Sequence, residues 1–515
     1  MAEFLNDKDP NDPSTTSEAY DSMVGIWWMI DHLLGGTKAM RGAGRAFLPQ
    51  HSEESDDNYD NRLGVNILFN AFEITLEHFV GRPFSDPVKL NNDVPEAMEP
   101  LMENIDLEGN NLTNFCREWF RCGLAKGYCH VLIDMPQMNP EAMPQTLADE
   151  RAAGRRPFWM MIEPENMIFA EGNVVKDPVS GELREMFTHV RIAENVIQRV
   201  GFAEVKRERI RVLEPGLFQV WEKVKTKKKK DEWVIVEQGP TGIDFVPIVT
   251  YYSNRKGFML AKPPLEDLAH LNVRHWQSMS DQINVLTVAR FPMLASAGAV
   301  DQTGSTQRIG PRQLLMTKDA NGRFYYVEHG GKAIDAGWKE LENLEESMEA
   351  YGATFLKRTP GVQTATARAL DSAESITPLQ DMINRFIDSV GNALAVTAQW
   401  MGLPEGGSVT ILNEFGPEQA DKEGIKLLLE LRKDRDISRK AVIKEAQTLG
   451  VIRPEYNADE DFEQLKLEDK ELKPLQPQIP GTFDPTNPDN SGNQAPNATQ
   501  DDDSSEPKST NEGDE

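Results

Sequence analysis

Cysteine is scarce in this sequence. Three residues, Cys116, Cys122 and Cys129, occur in a chain of 515. Their gaps fit no C-x-x-C metal or redox pattern, and an odd count builds no complete disulfide set. All three fall in one apolar stretch, so they read as buried, reduced thiols in a reducing compartment. Long apolar runs are missing as well. The strongest candidate, residues 23–34, is interrupted by Asp31 and falls far short of the ~20 residues a membrane-spanning helix needs. Residues 1–17 are polar and contain proline, with no cationic start and no apolar stretch, so no secretory signal is expected.

Positive charge is in short supply. Lys and Arg total 55 against 83 Asp and Glu, a formal net charge of −28 at pH 7. Residues 474–515 carry −8 of this and residues 1–18 carry −4, which leaves −16 on the body. This excludes a protein whose whole surface grips nucleic acid or anionic lipid, because such surfaces need excess cation. A protein that handles DNA without holding it remains compatible. The hydrophobic fraction of 39% supplies a real core, and the length suits about three domains or one large fold with insertions.

Signatures of chemistry are absent too. Gly35-Gly36-Thr37-Lys38 has the wrong order for a phosphate loop, has Asp31 where the first glycine belongs, and follows a predicted helix instead of a strand. Asp56, Asn58 and Asp60 begin like a calcium loop, but Asn61 and Ile67 stand where the sharp-turn glycine and bidentate glutamate belong. His270 and His275 are five apart and do not share a helical face as a zinc pair would. There is no G-x-S-x-G and no H-E-x-x-H. No catalytic residue, metal ligand or cofactor is expected.

What is present is an ordered series of parts. Residues 1–16 read as a disordered leader, followed by a helix over 17–34 with Ser17 as its cap. The spacing of Leu63, Ile67, Phe69, Ile74 and Leu76 predicts one helix over 61–80. Residues 112–124 form an amphipathic helix with Phe115, Trp119 and Phe120 on one face. Gly127 ends it, and 128–135 continue as a buried strand. From 158 to 249 the texture is β-type, with runs at 158–162, 186–192, 217–224, 233–236 and 248–252. Lys225 and Lys227, Lys228, Lys229 and Lys230 sit between two of these runs and read as a solvated hairpin tip.

Pro263-Pro264 opens a long helix whose seam is Leu265, Leu268, Trp276, Met279, Ile283 and Leu286, with Asn272 as the polar exception. Phe291-Pro292 ends it. Asn321-Gly322 between 314–316 and 324–327 is a hairpin signal. A second long helix follows, with Trp338, Leu341, Leu344, Met348, Tyr351 and Phe355 at helical steps and Glu340, Glu342, Glu345, Glu346 and Glu349 on the other faces. A polar loop, a helix from Pro378 to about 401, and a helix pair over 417–449 complete the order. Ser438 caps the second member of that pair. Residues beyond Pro474 are rich in Pro, Asn, Asp and Ser and read as disordered.

This order of parts resembles the portal (head–tail connector) proteins of tailed double-stranded DNA bacteriophages. The similar stretches are 19–34 (AYDSMVGIWWMIDHLL), 80–88 (VGRPFSDPV), 245–252 (FVPIVTYY), 263–276 (PPLEDLAHLNVRHW), 309–315 (IGPRQLL), 325–335 (YYVEHGGKAID) and 364–375 (TATARALDSAES), with a weaker echo at 436–444. No one of them is a chemical signature; their ordered set carries the resemblance.

The resemblance implies an α+β portal fold of wing, stem, clip and crown, mainly helical, with a β-rich part in the wing and a small β clip. On this chain that gives a disordered leader (1–18), wing (19–262), stem helix (263–290), clip (291–336), stem helix (337–357), tunnel loop (358–377), wing return helix (378–416), crown (417–473) and disordered acidic tail (474–515). It implies a homo-dodecameric ring at one capsid vertex, without enzymatic activity. Genomic DNA would be packaged through this ring by the terminase and later ejected.

The implied partners are further copies of the chain, the large terminase subunit, a head–tail adaptor, the major capsid and scaffolding proteins, and double-stranded DNA in transit, with no membrane. The implied location is the virion, and the host cytoplasm during assembly. Arg358, Thr364, Thr366 and Arg368 would face DNA in the channel. Arg308, Arg312 and Arg323 would meet terminase or adaptor at the clip. The competing readings are another head–tail connector or minor capsid protein, and, from a different class, a cytosolic metal-dependent hydrolase.

Overall fold

The computed structural model describes residues 9, 11–136, 155–176, 181, 183–225, 231–290, 293–297, 321–327, 331–354, 377–413, 432–433, 438–448 and 461. The chain divides into two units, Met1–Phe415 and Gly416–Glu515. The first is a mixed α+β structure with every described strand pair antiparallel. No described helix is long and apolar enough to cross a membrane.

Helix α1 (Glu18–Leu34) starts where Ser17 accepts a hydrogen bond from the Tyr20 amide, satisfying one of the donors a helix start leaves open. Residues 11–17 ahead of it, expected in a disordered leader, are held. The Ser17 amide donates to Ile168 O at 3.0 Å, and Arg191 Nη1 donates to Pro13 O at 3.2 Å and Thr15 Oγ1 at 2.7 Å. The charged partner lies 176 positions away, so composition alone cannot reveal it.

Helix α2 (Gly36–Ala43) follows directly. The single helix expected over 61–80 is two helices, α3 (Asp56–Val65) and α4 (Ala71–Gly81). Two asparagines make the break. Asn66 is fully buried and its Nδ2 donates to Trp276 O at 2.9 Å. Asn70 accepts from the Glu73 amide and caps α4. Ile67, Phe69 and Ile74, expected on a core face, are exposed at 65%, 42% and 64%.

Helix α5 (Leu112–Lys126) and strand β2 (Tyr128–Asp134) meet at Gly127, whose φ of +93° suits glycine. With β3 (Phe158–Ile162) and β9 (Ile248–Tyr252), β2 forms a three-stranded sheet in the order β3-β2-β9. The alternation of a strand explains why β2 is buried from Tyr128 to Ile133. Cys129, Val131 and Ile133 enter one core with the helices, while Tyr128 and Leu132 enter a second. The three cysteines are buried and unpaired.

The second core faces a five-stranded meander. Its strands are β4 (Met167–Lys176), β5 (Leu183–Val200), β6 (Ala203–Glu214), β7 (Leu217–Lys225) and β8 (Asp231–Pro240), in sequence order. The Lys225↔Asp231 pair closes β7 on β8, so the lysine run sits between these strands as expected. Lys227, Lys228, Lys229 and Lys230 lie outside the described residues. Strand β5 is 18 residues long, and β4 and β6 are strands the apolar alternation does not reveal. In β6 the pattern is masked by charge. Its arginines pair across the sheet, Arg209 with Glu222 at 2.8 Å and Arg211 with Glu194 at 2.6 Å.

Pairing of β4 to β5 ends at Met167↔Ile192, and pairing of β6 to β7 begins at Arg209↔Glu222. Residues 193–208 therefore extend as a two-stranded arm beyond the sheet. At its tip Phe202 is completely exposed, with Ile197 and Val200 exposed behind it.

Helix α8 (Pro378–Trp400) crosses the first core. Thr377 and Gln380 make a reciprocal capping box. Three indole N–H groups here find acceptors: Trp159 Nε1 donates to Thr397 Oγ1 at 2.8 Å, Trp119 Nε1 to Cys129 O at 3.1 Å and Trp400 Nε1 to Ile133 O at 2.9 Å. Two-residue strands β1 (Lys89–Leu90) and β14 (Val409–Thr410) pair beside it, and the short strands β10 (Arg255–Gly257) and β11 (Leu260–Ala261) pair with each other after β9. In the second unit, helix α9 (Arg439–Thr448) begins at Ser438, whose Oγ accepts from the Ala441 amide at 3.2 Å. The other member of the expected helix pair lies largely outside the described residues.

Candidate functional site

Helix α6 (Glu266–Ala289) starts just after Pro263-Pro264, with Glu266 and Asp267 in its first turn, where carboxylates suit the helix dipole. Leu265, Leu268, Ala269 and Trp276 are fully buried. Met279, Ile283 and Leu286, the outer half of the expected seam, are only half-buried. Helix α7 (Lys332–Thr354) begins five residues before the expected 337, directly after Gly331 at φ +68°.

The two helices run antiparallel, because contacts climb one as they descend the other. The Tyr351 hydroxyl donates to Pro264 O at 3.1 Å. His275 Nε2 lies 3.1 Å from Glu345 Oε1, Arg274 pairs with Glu340 at 2.9 Å, and Gln282 Nε2 donates to Ile334 O at 2.9 Å. Gly337 leaves room for the Gln282 amide, since a Cβ there would stand 2.0 Å from Gln282 Oε1 and push that side chain aside. Leu341 and Met348 are buried, Trp338 is 43% exposed, and Glu342, Glu346 and Glu349 face solvent.

Four polar side chains of α6, Asn272, His275, Ser280 and Gln282, are buried. Asn272 Oδ1 accepts from the Phe72 amide at 2.9 Å and its Nδ2 donates to Phe69 O at 2.7 Å. Ser280 Oγ accepts from Arg62 Nη1 at 3.3 Å. His275 and Gln282 engage α7. Directional bonds thus fix the register of α6 against α3 and α4 on one side and α7 on the other, where apolar packing alone would allow sliding.

Between α6 and α7 lie strands β12 (Met293–Ala297) and β13 (Arg323–Val327), paired antiparallel from Met293↔Val327 at the helix end to Ala297↔Arg323 at the far end. Asn321-Gly322 precedes β13 as expected, but 314–316, the expected partner strand, lie outside the described residues. The partner that is described is 293–297, whose small residues give little β signal. Arg323 is exposed at the distal rung. Tyr325 and Tyr326, on opposite faces, are 51% and 62% exposed. Sequence reasoning used these tyrosines only as strand formers; their adjacency in a two-stranded ladder is what leaves both open. Arg308 and Arg312 lie outside the described residues, as do Arg358, Thr364, Thr366 and Arg368.

A family described as "Domain of unknown function (DUF4055)" matches residues 264–401, the span from α6 through α8. No curated protein matches the chain. Among solved structures it is similar to a chain of the "Neck of empty GTA particle computed with C6 symmetry", 10% identical, covering 77% of this chain and 90% of that one at a TM-score of 0.37. It is also similar to a chain of the "Virion of native gene transfer agent (GTA) particle", 10% identical, covering 85% and 98% at a TM-score of 0.33.

Proposed function

We propose that the chain is the portal subunit of a tailed phage or phage-like particle, a structural protein that forms a ring at one vertex and passes double-stranded DNA. The observation that carries this reading is the antiparallel pair α6–α7, register-locked to the helical body and tipped by a two-stranded ladder. It stands where the ordered resemblance expects stem and clip. On this reading Arg308, Arg312 and Arg323 are clip contacts for terminase or adaptor, and Tyr325 and Tyr326 join Arg323 on the exposed ladder. Arg358, Thr364, Thr366 and Arg368 belong to the loop that meets DNA. A body that carries −16 suits a channel wall, because a duplex slides past like charge without sticking. The exposed Ile197, Val200 and Phe202 near the tip of the 193–208 arm suit a subunit that completes its burial against neighbouring copies.

Negative-stain electron microscopy of the purified full-length chain tests this. Rings with a central hole are expected, dodecameric in the closed assembly. A monomer under all assembly conditions, together with particles lacking a ring at the tail vertex, overturns the reading. Removing residues 364–372 is expected to leave the ring intact while DNA packaging or retention falls; loss of the ring would place those residues in the packing core.

The arm gives a second measurement. Phe202 has no surface buried within its own chain, so Phe202→Ser changes the stability of the isolated subunit by less than about 0.5 kcal/mol. If the tip packs between copies, the same change lowers the yield of rings at equal protein concentration. Unchanged ring yield would remove the arm from the interface.

A further inference from the structure

A buried ammonium surrounded by three carboxylates lies where α1 meets the end of α5. Lys126, the last residue of α5, is 4% exposed. Its Nζ is 2.9 Å from Asp31 Oδ1 on α1 and 2.7 Å from Glu163 Oε2, and it also contacts Glu165 Oε1. Two further bonds tie α1 to the same place. Trp27 Nε1 donates to the Lys126 carbonyl at 3.0 Å, and the Tyr20 hydroxyl donates to the Glu165 carbonyl at 3.0 Å. The cluster sits where α1 passes between cores, with Met23 and Trp27 in one and Ile30 and Leu33 in the other.

One ammonium cannot neutralise three carboxylates. The Glu163 and Glu165 carboxylates converge on the same Lys126 Nζ. Two ionised carboxylates that close repel each other, and a proton on one of them removes the repulsion and makes it a donor to the other. Glu165 Oε2 is buried and has no hydrogen-bond partner, which favours that oxygen as the proton's seat.

The titratable groups that act on this cluster come from α1, α5, β2 and the turn itself. They are Asp31 and Tyr20 from α1, Lys126, Cys122 and Arg121 from α5, Tyr128 and Cys129 from β2, and Glu163 from its own turn. Burial, then the bond to Glu163, pushes the Glu165 carboxyl up to about 7, and that same bond holds Glu163 below its ordinary range.

We propose that this cluster is a pH-dependent latch: one proton shared by Glu163 and Glu165 keeps α1 clamped to the end of α5 and the 164–166 turn, and its loss loosens α1. The sign follows from linkage. A carboxyl with a raised folded-state pKa binds more proton when the structure is closed, so its stabilisation is full below the ordinary value of 4.5 and is lost as pH rises through about 7. Loosening α1 also loosens residues 11–17, which α1 carries onto the five-stranded sheet.

Hydrogen exchange on the full-length chain reads this out. Between pH of about 6 and about 8, and after correction for intrinsic exchange, α1 amides are expected to lose protection on the order of tenfold relative to α8 amides. In Glu165→Gln, a neutral amide that can still donate to Glu163, α1 protection is expected to stay level over the same range. Parallel behaviour of α1 and α8 in the unaltered chain would overturn the latch without any variant. So would an undiminished loss of α1 protection in Glu165→Gln.

Discussion

Phe386→Ala is expected to destabilise the first unit by about 3–5 kcal/mol. Phe386 is fully buried on α8. Its ring lies 5.0 Å from Tyr251, 5.2 Å from both Trp119 and Phe120, and 6.2 Å from Phe84, each in an edge-on arrangement. These partners come from β9, from α5 and from the segment after α4. Truncation therefore removes contacts to several elements at once and leaves a cavity its rigid aromatic neighbours cannot fill. Gly123 shows how little slack there is, since a Cβ there would stand 2.4 Å from the Tyr251 ring. Urea unfolding followed by tryptophan fluorescence checks this. Phe386→Leu, which keeps most of the volume, should cost less than about 1.5 kcal/mol. Equal midpoints for the alanine variant and the unaltered chain would refute the account.

Arg62→Ala should be comparably severe, by about 3–5 kcal/mol. Arg62 is 3% exposed. Its Nε and Nη2 each donate to the Glu54 carboxylate at 2.8 Å, Nη2 also donates to Pro49 O at 2.9 Å, and Nη1 reaches Ser280 Oγ and Asp281 Oδ1 at 3.3 Å. The Glu54 side chain is 7% exposed, so removing the guanidinium strands a buried carboxylate. The fork also joins α3 and the 49–54 loop to α6, the helix that carries the candidate site.

The hydrogen bonds from Arg62 hold the Glu54 carboxyl below its ordinary range. The stabilisation they bring is present at neutral pH and lost as pH falls through that lowered pKa. The gap between Arg62→Ala and the unaltered chain should therefore narrow in acid. A gap independent of pH would show that the loss is one of packing and not of charge.

Where local pattern and burial coincide, the sequence is readable. Ser17 before α1, Thr377 before α8 and Ser438 before α9 are caps whose hydrogen bonds close within three residues. The seam Leu265, Leu268 and Trp276 identifies the buried face of α6. Reading fails where a distant residue decides. One helix was expected over 61–80 because Ile67, Phe69 and Ile74 keep helical spacing. The chain breaks there because Asn66 bonds to a carbonyl 210 positions away and Asn70 caps a new helix. Strand β6 hides behind arginines and glutamates whose partners stand on β5 and β7. Of the candidate site, Arg323 is legible only through the resemblance, as a clip contact, and its exposed place at the start of β13 comes from the structure. The openness of Tyr325 and Tyr326 depends on a partner strand with little β signal of its own.

The sequence by itself determined three things about this protein. It set an acidic balance unsuited to gripping DNA, three thiols inside an apolar stretch, and an order of helices and strands punctuated by caps, glycines and prolines. These depend on composition and on neighbours a few positions apart. The tertiary structure alone decided which apolar residues are buried, how α6 is held in register by Asn272, Ser280, His275 and Gln282, and that Lys126 meets Asp31, Glu163 and Glu165 in one place. The reason is physical. Burial, buried hydrogen bonds and charge clusters depend on which distant segments meet, and no local pattern specifies that meeting.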